Sequence, residues 1–194
     1  MLRGISDLKR FTIAATDGIL GSMTDLYFDD RNWAVRYLVV EGGNWLQGRR
    51  VFVPPLPVRS SDPTTIRVGL SKRQVETSSE VITTPAGAVT SAPHGGFGPV
   101  TLPLPRDGGD VHLQTATAVV GYAVRAEDGE IGHVKDVLVD DKSWTIRYLV
   151  IDTEKWWAGK KVLVSPAWLT RVTWDDAKTF LCIATAVDDW GVSV

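Results

Sequence analysis

The string Asp17-Gly18-Ile19-Leu20-Gly21 recurs, 111 residues further along the chain, as Asp128-Gly129-Glu130-Ile131-Gly132. The alignment runs on without a gap through Asp25/Asp136, Asp29-Asp30/Asp140-Asp141, Trp33/Trp144, Arg36-Tyr37-Leu38-Val39/Arg147-Tyr148-Leu149-Val150, Trp45/Trp156, Gly48/Gly159, Val51/Val162, Val53/Val164 and Pro55/Pro166, giving 16 identities over the 39 positions 17–55. Agreement of that length is an internal duplication, so the 194 residues form two related units rather than one large domain.

Within each unit the hydrophobic period is two. Tyr27-Phe28, then Asp29-Asp30-Arg31-Asn32, then Trp33 to Val40 reads as strand, turn, strand, with turn-forming Asp and Asn between β-branched and aromatic runs. Leu138 to Ile151 repeats the pattern, and Asp17-Gly18 and Asp128-Gly129 mark short hairpins. Gly48 to Pro54 and Thr65 to Leu70 add further strands. The best helical stretch is short, Ser71 to Glu76, with Ser71 placed to cap it. Five or six short strands in so small a unit leave exposed sheet edges unless the sheet curls closed, so each unit is expected to be a small β-barrel. The fold class is therefore all-β, two small barrels in tandem with one short helix per repeat at most.

Between the units, residues 83–112 hold five prolines, Pro85, Pro93, Pro99, Pro103 and Pro105, and many glycines, which excludes a regular helix or central strand. The expected organisation is repeat 1 over 1–82, a Pro/Gly-rich linker over 83–112 and repeat 2 over 113–194. Residues 1–82 carry 11 basic and 9 acidic side chains, residues 113–194 carry 9 and 12, so the overall charge of −2 hides two unlike halves. No whole-molecule basic field exists, which argues against a dedicated nucleic-acid binder. Cys182 is the sole cysteine, so no intramolecular disulfide can hold the fold, and no apolar run approaches the roughly 20 residues of a membrane span. These features lead us to expect a cytoplasmic protein.

At Asp17-Gly18-x-x-Gly21, Phe28-Asp29-Asp30, Trp33-x-x-Arg36-Tyr37-Leu38-Val39-Val40 and Val51-x-Val53-Pro54, and again from Asp128 to Pro166, the chain resembles the PRC-barrel family. That family includes the cytoplasmic domain of the photosynthetic reaction-centre H chain and the C-terminal domain of a ribosome-maturation factor. The resemblance implies SH3-like barrels that dock onto proteins, and it implies no catalysis.

Elements of catalytic chemistry are sparse. Asp29-Asp30 and Asp140-Asp141 are explained by turns; His94, His112 and His133 share no metal-ligand spacing with one another or with Cys182; and no nucleophile elbow or phosphate-binding Gly loop is present. No catalytic residue, cofactor or metal is expected. Arg36 and Arg147 stand within apolar strands and require water or a carboxylate, and Asp25 and Asp136 are their expected partners in structural ion pairs. Trp45, Arg49 and Arg50, with Trp156, Trp157, Lys160 and Lys161, join aromatic and basic side chains across a Gly turn. Three readings apply to them: a hairpin covering a barrel end, a protein interface, or a nucleic-acid contact.

The resulting expectation is a non-enzymatic adaptor whose two barrels pack on each other. It would associate as a homodimer or dock on a larger membrane or photosynthetic-type assembly, without membrane insertion. The alternative is an RNA- or ribosome-associated assembly factor.

Overall fold

In the computed structural model, residues 1–42, 50–55, 64–79, 112–126, 129–153, 160–173 and 180–183 are described, the side chains of 77–79, 160, 171, 173 and 180–183 excepted. The expected linker lies outside them apart from His112.

Repeat 1 runs β1 (Leu2–Gly4), α1 (Ile5–Leu8), β2 (Thr12–Ala15), β3 (Gly18–Asp29), β4 (Ala34–Gly42), β5 (Arg50–Val53), β6 (Thr65–Arg67) and α2 (Lys72–Ser79). Repeat 2 runs β7 (Leu113–Thr115), α3 (Ala116–Val119), β8 (Ala123–Ala126), β9 (Gly129–Asp140), β10 (Thr145–Thr153) and β11 (Lys160–Val164), followed by a 3-10 turn (Pro166–Trp168), β12 (Leu169–Thr173) and β13 (Phe180–Ile183). Both repeats are β-barrels of one design. Repeat 1 carries two short helices rather than one, because a single turn, α1, follows its first strand as well. At α2 the capping reading is right: Ser71 Oγ accepts from Gln74 N–H at 3.3 Å while Gln74 Oε1 accepts from Ser71 N–H at 2.9 Å, a reciprocal cap.

The Asp-Gly-x-x-Gly motif has two separate physical causes. Gly18 and Gly129 both sit at φ 140°, where an L side chain is strained. Gly21 and Gly132 are different: a Cβ there would collide with the backbone carbonyl of Glu41 or Asp152, because β3 and β4, and likewise β9 and β10, run in contact at that point.

The long strands curl by bulging. Between β3 and β4 the pairing steps from Phe28↔Val35 to Tyr27↔Tyr37, leaving Arg36 as the extra residue, and from Asp25↔Val39 to Met23↔Val40, leaving Thr24. Between β9 and β10 the same steps leave Arg147 and Lys135. Bulges increase twist and re-aim the extra side chain. Duplication fails at one place: β6 pairs β2 through Ile66↔Ile13, whereas β13 pairs β8 through Leu181↔Val124, so the offset there is 181 − 66 = 115 and repeat 2 carries four extra residues.

Inside each barrel the alternating residues form the core, with Leu20, Met23, Leu26 and Phe28 on β3 answered by Ile131, Val134, Val137 and Val139 on β9, all fully buried. The two cores are continuous. One sheet passes through both repeats, joined where Thr145 of β10 pairs with Ala34 of β4.

Candidate functional site

The first strand of each repeat is not paired within that repeat. β1 lies antiparallel to β9 with Leu2↔Asp140, Arg3↔Val139 and Gly4↔Leu138, and β7 lies antiparallel to β3 with Leu113↔Asp29, Gln114↔Phe28 and Thr115↔Tyr27. Shifting every number by 111 turns one set into the other. The repeats thus exchange their first strands about a local two-fold axis, and a seam between them results.

Backbone hydrogen bonds obey the same symmetry. Val35 N–H donates to Trp144 O at 2.8 Å and Ile146 N–H to Trp33 O at 2.9 Å. Asp30 N–H donates to His112 O at 2.9 Å and Asp141 N–H to Met1 O at 3.0 Å. The two tryptophans that begin the strands in a sequence reading are in fact the last residues of the turns. They adopt left-handed backbone, φ 58° at Trp33 and φ 50° at Trp144, a conformation costing about 1–2 kcal/mol for a residue with a Cβ. The turn closes through Trp33 N–H to Asp29 O at 2.7 Å and Trp144 N–H to Asp140 O at 2.8 Å. Both indoles are buried, and each carbonyl accepts a hydrogen bond from the opposite repeat. Packing and the seam together hold this strained geometry.

The expected ion pairs are not made. Arg36 Nη2 lies 3.1 Å from Asp29 Oδ2 instead of Asp25, alongside Arg31 Nη2 at 2.7 Å. The bulge at Arg36 accounts for this, since it turns the side chain away from the strand face that carries Asp25. The Arg31 guanidinium and main-chain N–H, with help from Arg36, hold the buried Asp29 carboxyl well below the usual carboxylate range. Arg147, bulged in the same way, is exposed and makes no ion pair among the described residues. Its turn carries Lys142 and Ser143 where the first has Arg31 and Asn32, and Asp140 is held down to about 2 by the Ser143 hydroxyl at 2.8 Å and the Lys142 N–H at 3.2 Å.

Asp25 and Asp136 serve the seam. Asp136 accepts from Ser6 N–H at 3.3 Å and from the Ser6 hydroxyl, capping α1 from the other repeat. Gly4, the N-cap residue of α1, has no capping side chain, and a Cβ there would press on the Asp136 carboxylate. Asp25 accepts from Thr117 N–H at 3.2 Å in α3, where Thr115 also supplies a cap of its own to Ala118 N–H. Two side-chain contacts complete the seam, an ion pair from Arg3 Nε to Asp141 Oδ2 at 2.8 Å and a hydrogen bond between His112 Nδ1 and Asp30 Oδ1 at 3.0 Å.

Beside the seam lies an open groove of about 480 Å³, with Asp30, Arg31 and Trp33 from the first turn, Thr145 and Arg147 from β10, and Ser165, Pro166, Ala167, Leu169, Thr170 and Val172 among its walls. Trp168, 46% exposed, ends the 3-10 turn between the wall residues Ala167 and Leu169. Of the expected interaction residues, Trp45, Arg49, Trp156 and Trp157 lie outside the described residues, as does the Lys160 side chain. Arg50 and Lys161 are exposed and equivalent, opposite Glu41 on β4 and Asp152 on β10.

The family profile of the PRC-barrel domain matches residues 2–74 and again residues 114–179. The chain belongs to the PRC-barrel family. Each matched segment starts within the exchanged strand, at Leu2 and at Gln114, so the PRC unit of sequence includes a strand that completes the other barrel. Among curated proteins none matches the chain. Among the described residues, no helix is long and apolar enough to cross a membrane. The seam contacts were not legible in the sequence, because nothing local to Leu2-Arg3-Gly4 or Leu113-Gln114-Thr115 says which barrel they join.

Proposed function

We propose that this tandem PRC protein is a non-enzymatic adaptor that seats a protein partner in the groove beside the seam. One observation carries the reading: the groove is walled by both repeats and mixes apolar surface (Trp33, Leu169, Val172) with Arg147, while Trp168, 46% exposed, lies in the chain between the wall residues Ala167 and Leu169. Trp and Arg are residue types enriched at protein interfaces. The basic and aromatic positions from Trp45 to Arg50 and from Trp156 to Lys161 are additional candidate contacts on the same reading, in a cytoplasmic setting.

A photo-reactive amino acid at position 168, in the cell of origin, should cross-link to a discrete protein. The adduct should disappear when Arg147→Glu is added, while a probe at Ile19 should give no adduct of that size. No adduct at position 168, an adduct that Arg147→Glu leaves unchanged, or equal cross-linking at Ile19 overturns the groove as the site. Salt-dependent binding to RNA, abolished by neutralising Arg49, Arg50, Lys160 and Lys161, would instead establish the RNA-associated alternative.

A further inference from the structure

The two exchanged arms differ in size, and each lies on a strand of the opposite size. α1, which buries Ile5 and Leu8, packs chiefly on β9, whose buried residues include Val137 and Val139, and less on β3; α3, which buries the smaller Ala116 and Val119, packs chiefly on β3, which buries Leu26 and Phe28 at the matching positions, and less on β9. Large meets small on both sides of the seam. If repeat 1 paired with its own kind, Ile5 and Leu8 would face Leu26 and Phe28 and overpack; if repeat 2 did so, Ala116 and Val119 would face Val137 and Val139 and leave a void. Overpacking and cavities both destabilise a packed core. Charge acts in the same direction, since the half with 11 basic and 9 acidic groups meets the half with 9 and 12.

We propose that the seam is a heterotypic recognition surface: the first PRC repeat of one copy of this chain binds the second repeat of another copy by the same strand exchange, in preference to its own kind. In the intact chain the connecting segment gives the internal pair an effective concentration of order mM, so the closed single chain prevails until copies are concentrated or the connection is cut. This inference is independent of the groove, which can fail as a partner site while the seam still pairs unlike repeats.

The test uses the folded full chain with a specific protease site inserted between Gly95 and Gly96. After cleavage, native mass spectrometry should show one particle containing one copy of each half. Mixing cleaved protein with an isotope-labelled cleaved copy in mild urea, then removing the urea, should give labelled–unlabelled unlike pairs, favoured over like pairs by about tenfold or more, since even one overpacked or void site is worth about that factor. Ala116→Ile with Val119→Leu, which makes α3 as bulky as α1, should reduce that preference at least severalfold. Separation of the halves on cleavage, precipitation of either one, or a random distribution of like and unlike pairs overturns the proposal.

Discussion

The turn Asp29 to Ala34 and the turn Asp140 to Thr145 have one backbone and two chemistries. In both, the Asp carbonyl closes the loop on a left-handed Trp, and the Trp carbonyl crosses the seam. In the first turn the carboxylate is 3% exposed and held by two guanidinium groups, and Trp33 stacks on Phe28 with ring centroids 5.1 Å apart. In the second, Val139 replaces Phe28, the carboxylate is more open and takes a hydroxyl, a main-chain N–H and the Met1 ammonium at 3.3 Å, and the buried Trp144 indole N–H has no hydrogen-bond partner among the described residues. The comparison teaches that the fold needs the backbone of this turn, while the side chains satisfying it depend on local burial. The buried carboxylate is held first by guanidinium groups, and the more open one first by a hydroxyl and a main-chain N–H.

The largest effects should come from the tryptophans. Trp33→Ala, which deletes a stacked, buried indole, should cost about 3–5 kcal/mol in urea unfolding. Trp144→Ala should cost less, by about 1–3 kcal/mol, because it also removes an indole N–H that is buried without a partner. Equal losses would break the comparison. By the same reasoning Trp144→Phe should be the better tolerated of the two Trp→Phe changes.

Next come the carboxylates. Asp29→Asn should cost about 1–2 kcal/mol, since the hydrogen bonds it weakens are charge-assisted but its arginines are roughly half exposed. Asp140→Asn should cost less. Both groups have native pKa values below their ordinary one near 3.8, so each contributes stability that is fully present above that value and is lost as the pH falls through the folded pKa. Stability should therefore decline below about pH 4, and Asp29→Asn should flatten that decline more than Asp140→Asn. An acid limb identical in all three proteins would contradict the arrangement.

Smaller effects should separate the seam caps from the ion pairs expected of the sequence. Asp136→Ala should cost about 1 kcal/mol and so lower the thermal midpoint, through loss of the side-chain cap that Asp136 gives α1. Asp25→Ala should cost less, because Thr115 caps α3 independently. Arg147→Ala should change stability by no more than about 0.5 kcal/mol. A fall for Arg147→Ala matching that for Asp136→Ala would restore the intra-barrel pair and refute the contacts described here.

Much of this architecture was readable from residues alone. The duplication, the β class, the glycines of Asp-Gly-x-x-Gly and the Ser71 cap rest on local geometry or on self-comparison, both of which a sequence carries in full. The ion pairs were misread because the alternation rule assumes an unbroken ladder, and the bulges at Arg36 and Arg147 break it without any residue type that announces them. Trp33 was misplaced for a related reason, since left-handed backbone is normally marked by Gly or Asn and here is imposed on an indole by the packing around it. The role of Asp136 was hidden further still, as its partner Ser6 lies 130 residues away.

By itself, then, the sequence determined that there are two barrels and how each strand alternates, because periodicity and repetition are properties of neighbours along the chain. Only the tertiary structure decided which barrel each first strand completes. A three-residue strand has the same local preferences in either place, and the choice is made by what it meets there: a carboxylate that caps its helix, an Asp141 main-chain N–H that donates to Met1 O, and a core whose small residues leave room for Ile5 and Leu8.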